Sequence, residues 1–255
     1  MRFACLGSGS RGNAWLVEAG GTRVLVDCGF SARETAKRLE RLGVEADSVD
    51  ALLLTHEHAD HARGVAGFSA RYRCEVWLTH GARGMLQATD SLPQRVREID
   101  SHSAFAVGDL AITPVAVPHD AREPVQFVLS DGQHRLGILT DAGHVTPHME
   151  TMFSGCDALA IECNHDVELL RQGSYPPALK TRILGRYGHL DNGTARQLLA
   201  RVASGRLQHV LAAHLSEENN RPELARRALA GALGCEEDWI GVADQEQGSD
   251  WRQIV

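Results

Sequence analysis

The sequence predicts an α/β fold in which two β-sheets pack face to face with helices on the outside. Three observations lead there. Apolar runs of strand length fill two separate blocks of the chain, helical segments accompany each block, and turn signals separate the runs. Residues 1–255 are expected to form one domain, because no Pro/Ser-rich linker, low-complexity tract or short-period repeat interrupts them.

In chain order, the first block carries β-like runs at 3–6, 14–18, 22–27, 51–55 and 75–79. Gly20-Gly21 between two of them signals a hairpin. Ser31 and Glu34 have capping-box spacing, so a helix opens there, runs through Ala36 and Leu39 to Leu42, and ends at Gly43. Strands resume at 110–117, 125–130, 134–140 and 158–162. Later helices are predicted over 194–203 and 222–232, the second with Pro222 at its first position. The Gly155 region is expected to join the two halves.

Composition sets limits. A chain of 255 residues with 43% hydrophobic content can bury one sizeable core. No apolar run reaches the roughly 18 residues that would span a bilayer, and the N-terminus passes at once into Gly/Ser sequence instead of a secretory apolar segment. Six cysteines without a C-x-x-C pair read as free thiols of a reducing compartment, so a cytoplasmic location is expected. The net charge of −7 argues against a surface coated for non-specific polyanion binding. That charge is uneven. Between Glu168 and Asp191 there is no acid, while Arg171, Lys180, Arg182 and Arg186 fall there.

The most informative stretch is Leu52-Leu53-Leu54-Thr55-His56-Glu57-His58-Ala59-Asp60-His61. His56, His58, Asp60 and His61 follow an apolar strand directly. A loop at a strand end can turn all four toward one cavity, where helical spacing would scatter them. Imidazole and carboxylate suit zinc or another divalent first-row metal, and the mixed set suggests more than one ion. Asp27, His119, Asp141 and His214 each sit just past a further strand-like run, so all of them can lie along one rim. His102 precedes its strand, and His144 and His148 flank Pro147; these are read as turn or surface histidines. Asp27 is read as a hydrogen-bonding support for the His loop, and Asp120 as an orienting partner of His119.

The pattern H-x-H-x-D-H, followed in order by His119, Asp141 and His214, resembles the signature of the metallo-β-lactamase superfamily. The resemblance implies a four-layer αββα sandwich. It also implies that His56, His58 and His119 hold one divalent ion, that Asp60, His61 and His214 hold a second, and that Asp141 bridges them. Two Zn²⁺ or Mn²⁺ ions about 3.5–4 Å apart would activate a water and take up charge on a leaving oxygen. Asp60 counts among the catalytic residues as well as the ligands. His58 stands where iron-dependent relatives place an acid, and Asp141 where class B β-lactamases place a Cys; both point to hydrolysis by other metals and away from antibiotic cleavage.

Further stretches narrow the resemblance. Ser8-Gly9-Ser10-Arg11-Gly12-Asn13, Ile161-Glu162-Cys163-Asn164-His165-Asp166, Gly188-His189-Leu190-Asp191-Asn192 and His214-Leu215-Ser216-Glu217-Glu218-Asn219-Asn220 look like the YycJ/WalJ-type, exonuclease-like branch. The likeness implies a nucleic-acid phosphodiesterase, DNA favoured over RNA. His189 would then be the general acid and His165 its partner or a substrate contact. Asp191 departs from the Ser usual in that branch and places a negative charge beside His189. Ser10 and Asn13 of the Gly/Ser loop are expected to cradle phosphate, and Lys180, Arg182 and Arg186 to track the backbone. Related enzymes often dimerise, so a homodimer is expected. The other reading is a small-molecule ester, thioester or lactone hydrolase of the same fold. It would need a long apolar pocket, and no insertion in the sequence builds one.

Overall fold

A computed structural model describes residues 1–255. The first half forms β1 (Arg2–Gly7), β2 (Ala14–Ala19), β3 (Thr22–Val26), α1 (Ala32–Arg41), β4 (Ala51–Leu53), α2 (Ala59–Ala62), α3 (Val65–Tyr72), β5 (Glu75–Thr79), α4 (His80–Ala88) and β6 (Val96–Ile99). The second forms β7 (Phe105–Val107), β8 (Leu110–Ala116), β9 (Val125–Ser130), β10 (Arg135–Leu139), α5 (Pro147–Phe153), β11 (Ala158–Glu162), α6 (Val167–Gln172), α7 (Pro177–Ile183), α8 (Asn192–Val202), β12 (His209–Ala213), α9 (Pro222–Leu233) and β13 (Gly241–Val242). A last strand, β14 (Arg252–Gln253), returns to pair with β1.

Two seven-stranded sheets result, ordered β14-β1-β2-β3-β4-β5-β6 and β13-β12-β11-β10-β9-β8-β7. Each is antiparallel in one part and parallel in the other, with β3 to β6 and β10 to β13 parallel. Side-chain alternation sorts the residues into layers. In β2, Trp15 and Val17 enter the core between the sheets, while Ala14 and Leu16 pack outward. In β11, Ala158 and Ala160 face that inner core, and Leu159 and Ile161 pack beneath the helices of the second half. Three apolar clusters therefore fill the three interfaces of an αββα sandwich. The continuous run Leu52-Leu53-Leu54 is explained by β4, a parallel strand flanked by β3 and β5 with every residue buried.

Several sequence expectations need correction. The halves join between β6 and β7, at residues 100–104, because β6 closes the first sheet and β7 edges the second. Gly155, at φ +71°, only turns the chain from α5 toward β11. Ser31 caps α1 by accepting from Glu34 N at 3.2 Å, but the Glu34 carboxylate turns to Arg38, so the capping box is half formed. Pro147 opens α5 behind the cap Thr146, so His148 is the surface histidine expected, carried on a helix.

The residue at 191 also finds its reason. Asp191 is the N-cap of α8, accepting from Gly193 N, Thr194 N and Thr194 Oγ1. Ser and Asp are near-equivalent caps, so the departure from the usual Ser is met locally by helix amides.

Candidate metal centre

Strand ends build the site. β4 stops at Leu53, two residues earlier than its apolar pattern, and releases Thr55-His56-Glu57-His58 into a loop. The four-residue helix α2 then carries Asp60 and His61 in one turn. Asp27 leaves β3 at φ +64°, and His214 leaves β12 at φ +52°. Neither residue type adopts this conformation without cost, and such outliers cluster at functional sites.

The ligating atoms converge. His56 Nε2 lies 3.0 Å from His58 Nδ1, which lies 3.3 Å from His119 Nε2. Beside them, Asp60 Oδ2 is 3.4 Å from both His61 Nε2 and His214 Nε2. Asp141 reaches both groups, with Oδ2 at 3.1 Å from His61 Nε2 and Oδ1 at 3.8 Å from His119 Nε2.

The opposite ring nitrogen of every one of these imidazoles is already engaged. His61 Nδ1 donates to Asp27 Oδ2 at 2.8 Å, and His119 Nδ1 to the Gly188 carbonyl at 2.9 Å. His214 Nδ1 donates to the Thr140 carbonyl at 2.8 Å, and His58 Nε2 to the Asp120 carbonyl at 3.2 Å. The Thr55 hydroxyl donates to Asp27 and so accepts from His56 Nδ1 at 3.0 Å. Such outer contacts fix tautomer and ring direction in metal sites. Asp27 is thus the support expected of it, whereas Asp120 orients His58 through its carbonyl and leaves His119 to Gly188.

The residues fit a divalent metal site on a further observation. Asp141 Oδ2 is buried with no hydrogen-bond partner, because His61 Nε2 is near it without bonding geometry. An unpartnered carboxylate oxygen at the meeting point of two imidazole groups is costly unless a cation takes it. Burial opposes the charge of Asp141, but His214 and His61 outweigh burial and hold its pKa well below the usual carboxylate range.

Sequence reasoning missed one residue of this centre. Glu162, the last residue of β11, is fully buried and accepts from His189 Nδ1 at 2.7 Å, Ala142 N at 2.8 Å and Leu190 N at 3.1 Å. Burial first, then the charge of Asp141, pushes its pKa well up. Burial likewise pulls His189 down to about 4, against Asp141. Burial thus disfavours the charged form of both partners. The signal available in the sequence was a charged residue closing an otherwise apolar strand, Ala158–Glu162.

A cleft of about 330 Å³ opens over the centre. Asp60, His58, Asp141, His189 and His214 line it, as do Ser10 and Arg182. Other expected substrate contacts lie elsewhere. Asn13 is buried, donating to Gly9 O and Asp60 O and accepting from the Ser8 hydroxyl and Gly9 N. With Arg11 N on Gln245, Gly12 N on Gly9 O and Asn13 N on Asp60 O, the Gly/Ser loop spends its amides internally. Apart from Ser10, which lines the cleft, it braces the candidate ligands. The Ser8 hydroxyl in turn accepts from His214 N at 2.9 Å.

Lys180 donates to the carbonyls of Arg171 and Gly173, both at 2.7 Å, and does not line the cleft. Arg186 is exposed and outside the lining; its carbonyl takes His144 Nδ1 at 2.8 Å. The close approach there requires glycine, since a Cβ on Gly143 would stand 2.2 Å from the Arg186 oxygen. His165 is buried, at 1% exposure, and is not among the residues that line the cleft.

Comparison with known proteins agrees with this geometry. A model of the β-lactamase superfamily domain matches residues 22–211. The chain is 33% identical over 246 residues to exodeoxyribonuclease YycJ of Bacillus anthracis, covering 96% of this chain and 92% of that one. It is also 33% identical over 248 residues to exodeoxyribonuclease WalJ of Streptococcus pneumoniae, with coverage of 95% and 91%. Among solved structures, the metallo-β-lactamase fold protein YhfI of Bacillus subtilis superposes with a TM-score of 0.75 at 15% identity, over 98% of both chains. The short form of human tRNase Z gives 0.67 at 16% identity over both full chains; at these identities the likeness is one of fold.

Proposed function

Since the chain belongs to the metallo-β-lactamase superfamily, we propose that it is a binuclear metal-dependent phosphodiesterase that removes nucleotides from nucleic acid, DNA in preference to RNA. The observation that carries the proposal is the pair of three-ligand groups joined by Asp141, with the Glu162–His189 pair beside that bridge. His56, His58 and His119 would hold one ion and Asp60, His61 and His214 the other, Zn²⁺ or Mn²⁺. When bound, the ions supply Lewis acidity toward a phosphoryl oxygen and lower the pKa of an attacking water.

The protein's own residues do the remainder. Asp60, open to the cleft, is placed to orient the attacking water as well as to hold metal. His189 lines the cleft and exchanges its proton with Glu162, so it can protonate a departing alkoxide and be recharged from behind. Arg182 offers its terminal nitrogens to phosphate while Nε stays on Asp120 at 2.5 Å. The relatives named as exodeoxyribonucleases, matched over more than nine-tenths of their length, support a nucleic-acid substrate. The small cleft, most of whose lining residues are polar, disfavours the ester-hydrolase alternative. We further place the enzyme in the cytoplasm, as one domain that pairs as a homodimer. Six free cysteines, five of them buried, support that location, and no helix is long and apolar enough to cross a membrane.

The test is degradation of end-labelled single- and double-stranded DNA and RNA, each with Mn²⁺ or Zn²⁺. Metal-dependent shortening of DNA, with RNA cut more slowly, is the expected result. Intact polymers alongside rapid hydrolysis of a thioester or lactone would overturn the reading.

A further inference from the structure

The cleft has two unlike walls. One is the polar rim of metal-centre residues. On the other stand Tyr175, Leu179 and Ile183, which with Ala59 are the apolar residues of the lining. All three come from α7 and the turn before it, and α7 contains no buried residue. Apolar side chains on such a helix add nothing to a core. Lys180 ties α7 to the backbone at the end of α6, the Arg182–Asp120 pair ties it to the rim, and His189 N donates to Ile183 O at 3.1 Å. The helix is therefore anchored by polar contacts while it presents its apolar side chains to the cleft.

We propose that Tyr175, with Leu179 and Ile183, is a nucleobase-stacking wall that makes the cleft specific for an unpaired nucleotide, Arg182 taking the phosphate. This deepens the phosphodiesterase reading and rests on it. A volume of about 330 Å³ lies at the lower end of ligand pockets, which suits one nucleotide better than a base pair. An aromatic face accepts any base, because stacking needs only a π surface. The chain end must then be frayed or single-stranded before it reaches the metal centre, at the cost of unpairing.

Two small substrates isolate the nucleoside: thymidine 5′-(4-nitrophenyl phosphate) and methyl 4-nitrophenyl phosphate share phosphate and leaving group, and the Tyr175 variants assign the difference to the base. In the metal-loaded wild type, kcat/KM should favour the thymidine ester by between about fivefold and 150-fold. Y175A should collapse that ratio toward one, whereas Y175F, which keeps the ring, should retain most of it. L179A and I183A should each lower it by a smaller factor. A wild-type preference that Y175A leaves intact overturns the stacking wall but spares the phosphodiesterase reading. Failure of wild type to hydrolyse either ester overturns both. On polymers, a blunt GC-rich duplex end should be cut at least about tenfold more slowly than the same strand alone; equal rates would also overturn the wall.

Discussion

The metal rim and helix α7 share one cleft but are held by opposite means. On the rim, His56, His61, His119 and His214 are buried, and each ring has its outer nitrogen fixed by a backbone carbonyl, Asp27 or Thr55. α7 buries nothing and hangs on polar ties from Lys180, Arg182 and the Ile183 carbonyl. Chemistry that needs angstrom placement is thus grafted onto the ends of core strands, where packing removes freedom. The surface that must meet a long, variable substrate sits at the low-stability end of the molecule.

The contrast breaks most completely if the rim loses its bridge. Asp141→Ala removes the one carboxylate that reaches both imidazole groups. Metal analysis of carefully prepared protein should fall from near two equivalents to below one, and phosphodiesterase activity by more than about 10³-fold. Retention of two equivalents would show that the two groups do not depend on Asp141.

Next in size is the pair behind the rim. Glu162→Gln keeps an acceptor for Ala142 N and Leu190 N but gives His189 no carboxylate with which to share its proton. We expect kcat on DNA to drop by about 10²-fold or more at unchanged metal content. The loss should shrink for nitrophenolate leaving groups, which need less protonation. An equal loss on both would make Glu162 a structural brace only.

These two residues also show what a sequence can disclose. The seven candidate ligands were legible because four of them fall within six residues just past an apolar run and the other three each follow a further strand-like run. Glu162 was not, because its meaning depends on His189, which lies 27 positions away and meets it only through the packing of β11 against the loop before α8. The helical form of α7 was not predicted for the converse reason: a helix without a buried face leaves no apolar periodicity to read. The joint between the halves was misplaced because membership of a sheet is a long-range property, and no local signal separates β6 from β7. The cation run at 180–186 looked uniform in sequence, yet folding assigned Lys180 to carbonyls, Arg182 to the cleft and Arg186 to solvent.

A smaller effect sharpens the rigidity contrast. The Arg182 side chain is 60% exposed, so its pair with Asp120 is worth at most about 1 kcal/mol. Asp120→Asn keeps the carbonyl that orients His58 but weakens that tie. Hydrogen exchange of the α7 amides should accelerate up to about fivefold, with β4 and β11 unaffected. Equal acceleration in β11 would mean that the two regions are one cooperative unit.

The smallest effect separates two neighbouring cations by what folding made of them. Arg182 lines the cleft with its terminal nitrogens unspent, whereas Lys180 donates to the carbonyls of Arg171 and Gly173. If Arg182 neutralises one phosphate, Arg182→Ala should reduce the log–log salt slope of single-stranded DNA binding by about 0.7. Lys180→Met retains the aliphatic stem and removes only the ammonium, so that slope should not move. Its consequence should instead be stability, since hydrogen bonds from a charged donor contribute about 1.5–3 kcal/mol, felt as a Tm lowered by several degrees in a chain of this size. Binding isotherms across a salt series, together with a thermal melt of each variant, read both quantities. A salt slope reduced equally by the two substitutions would return Lys180 to the substrate path and erase the distinction between anchor and contact on α7.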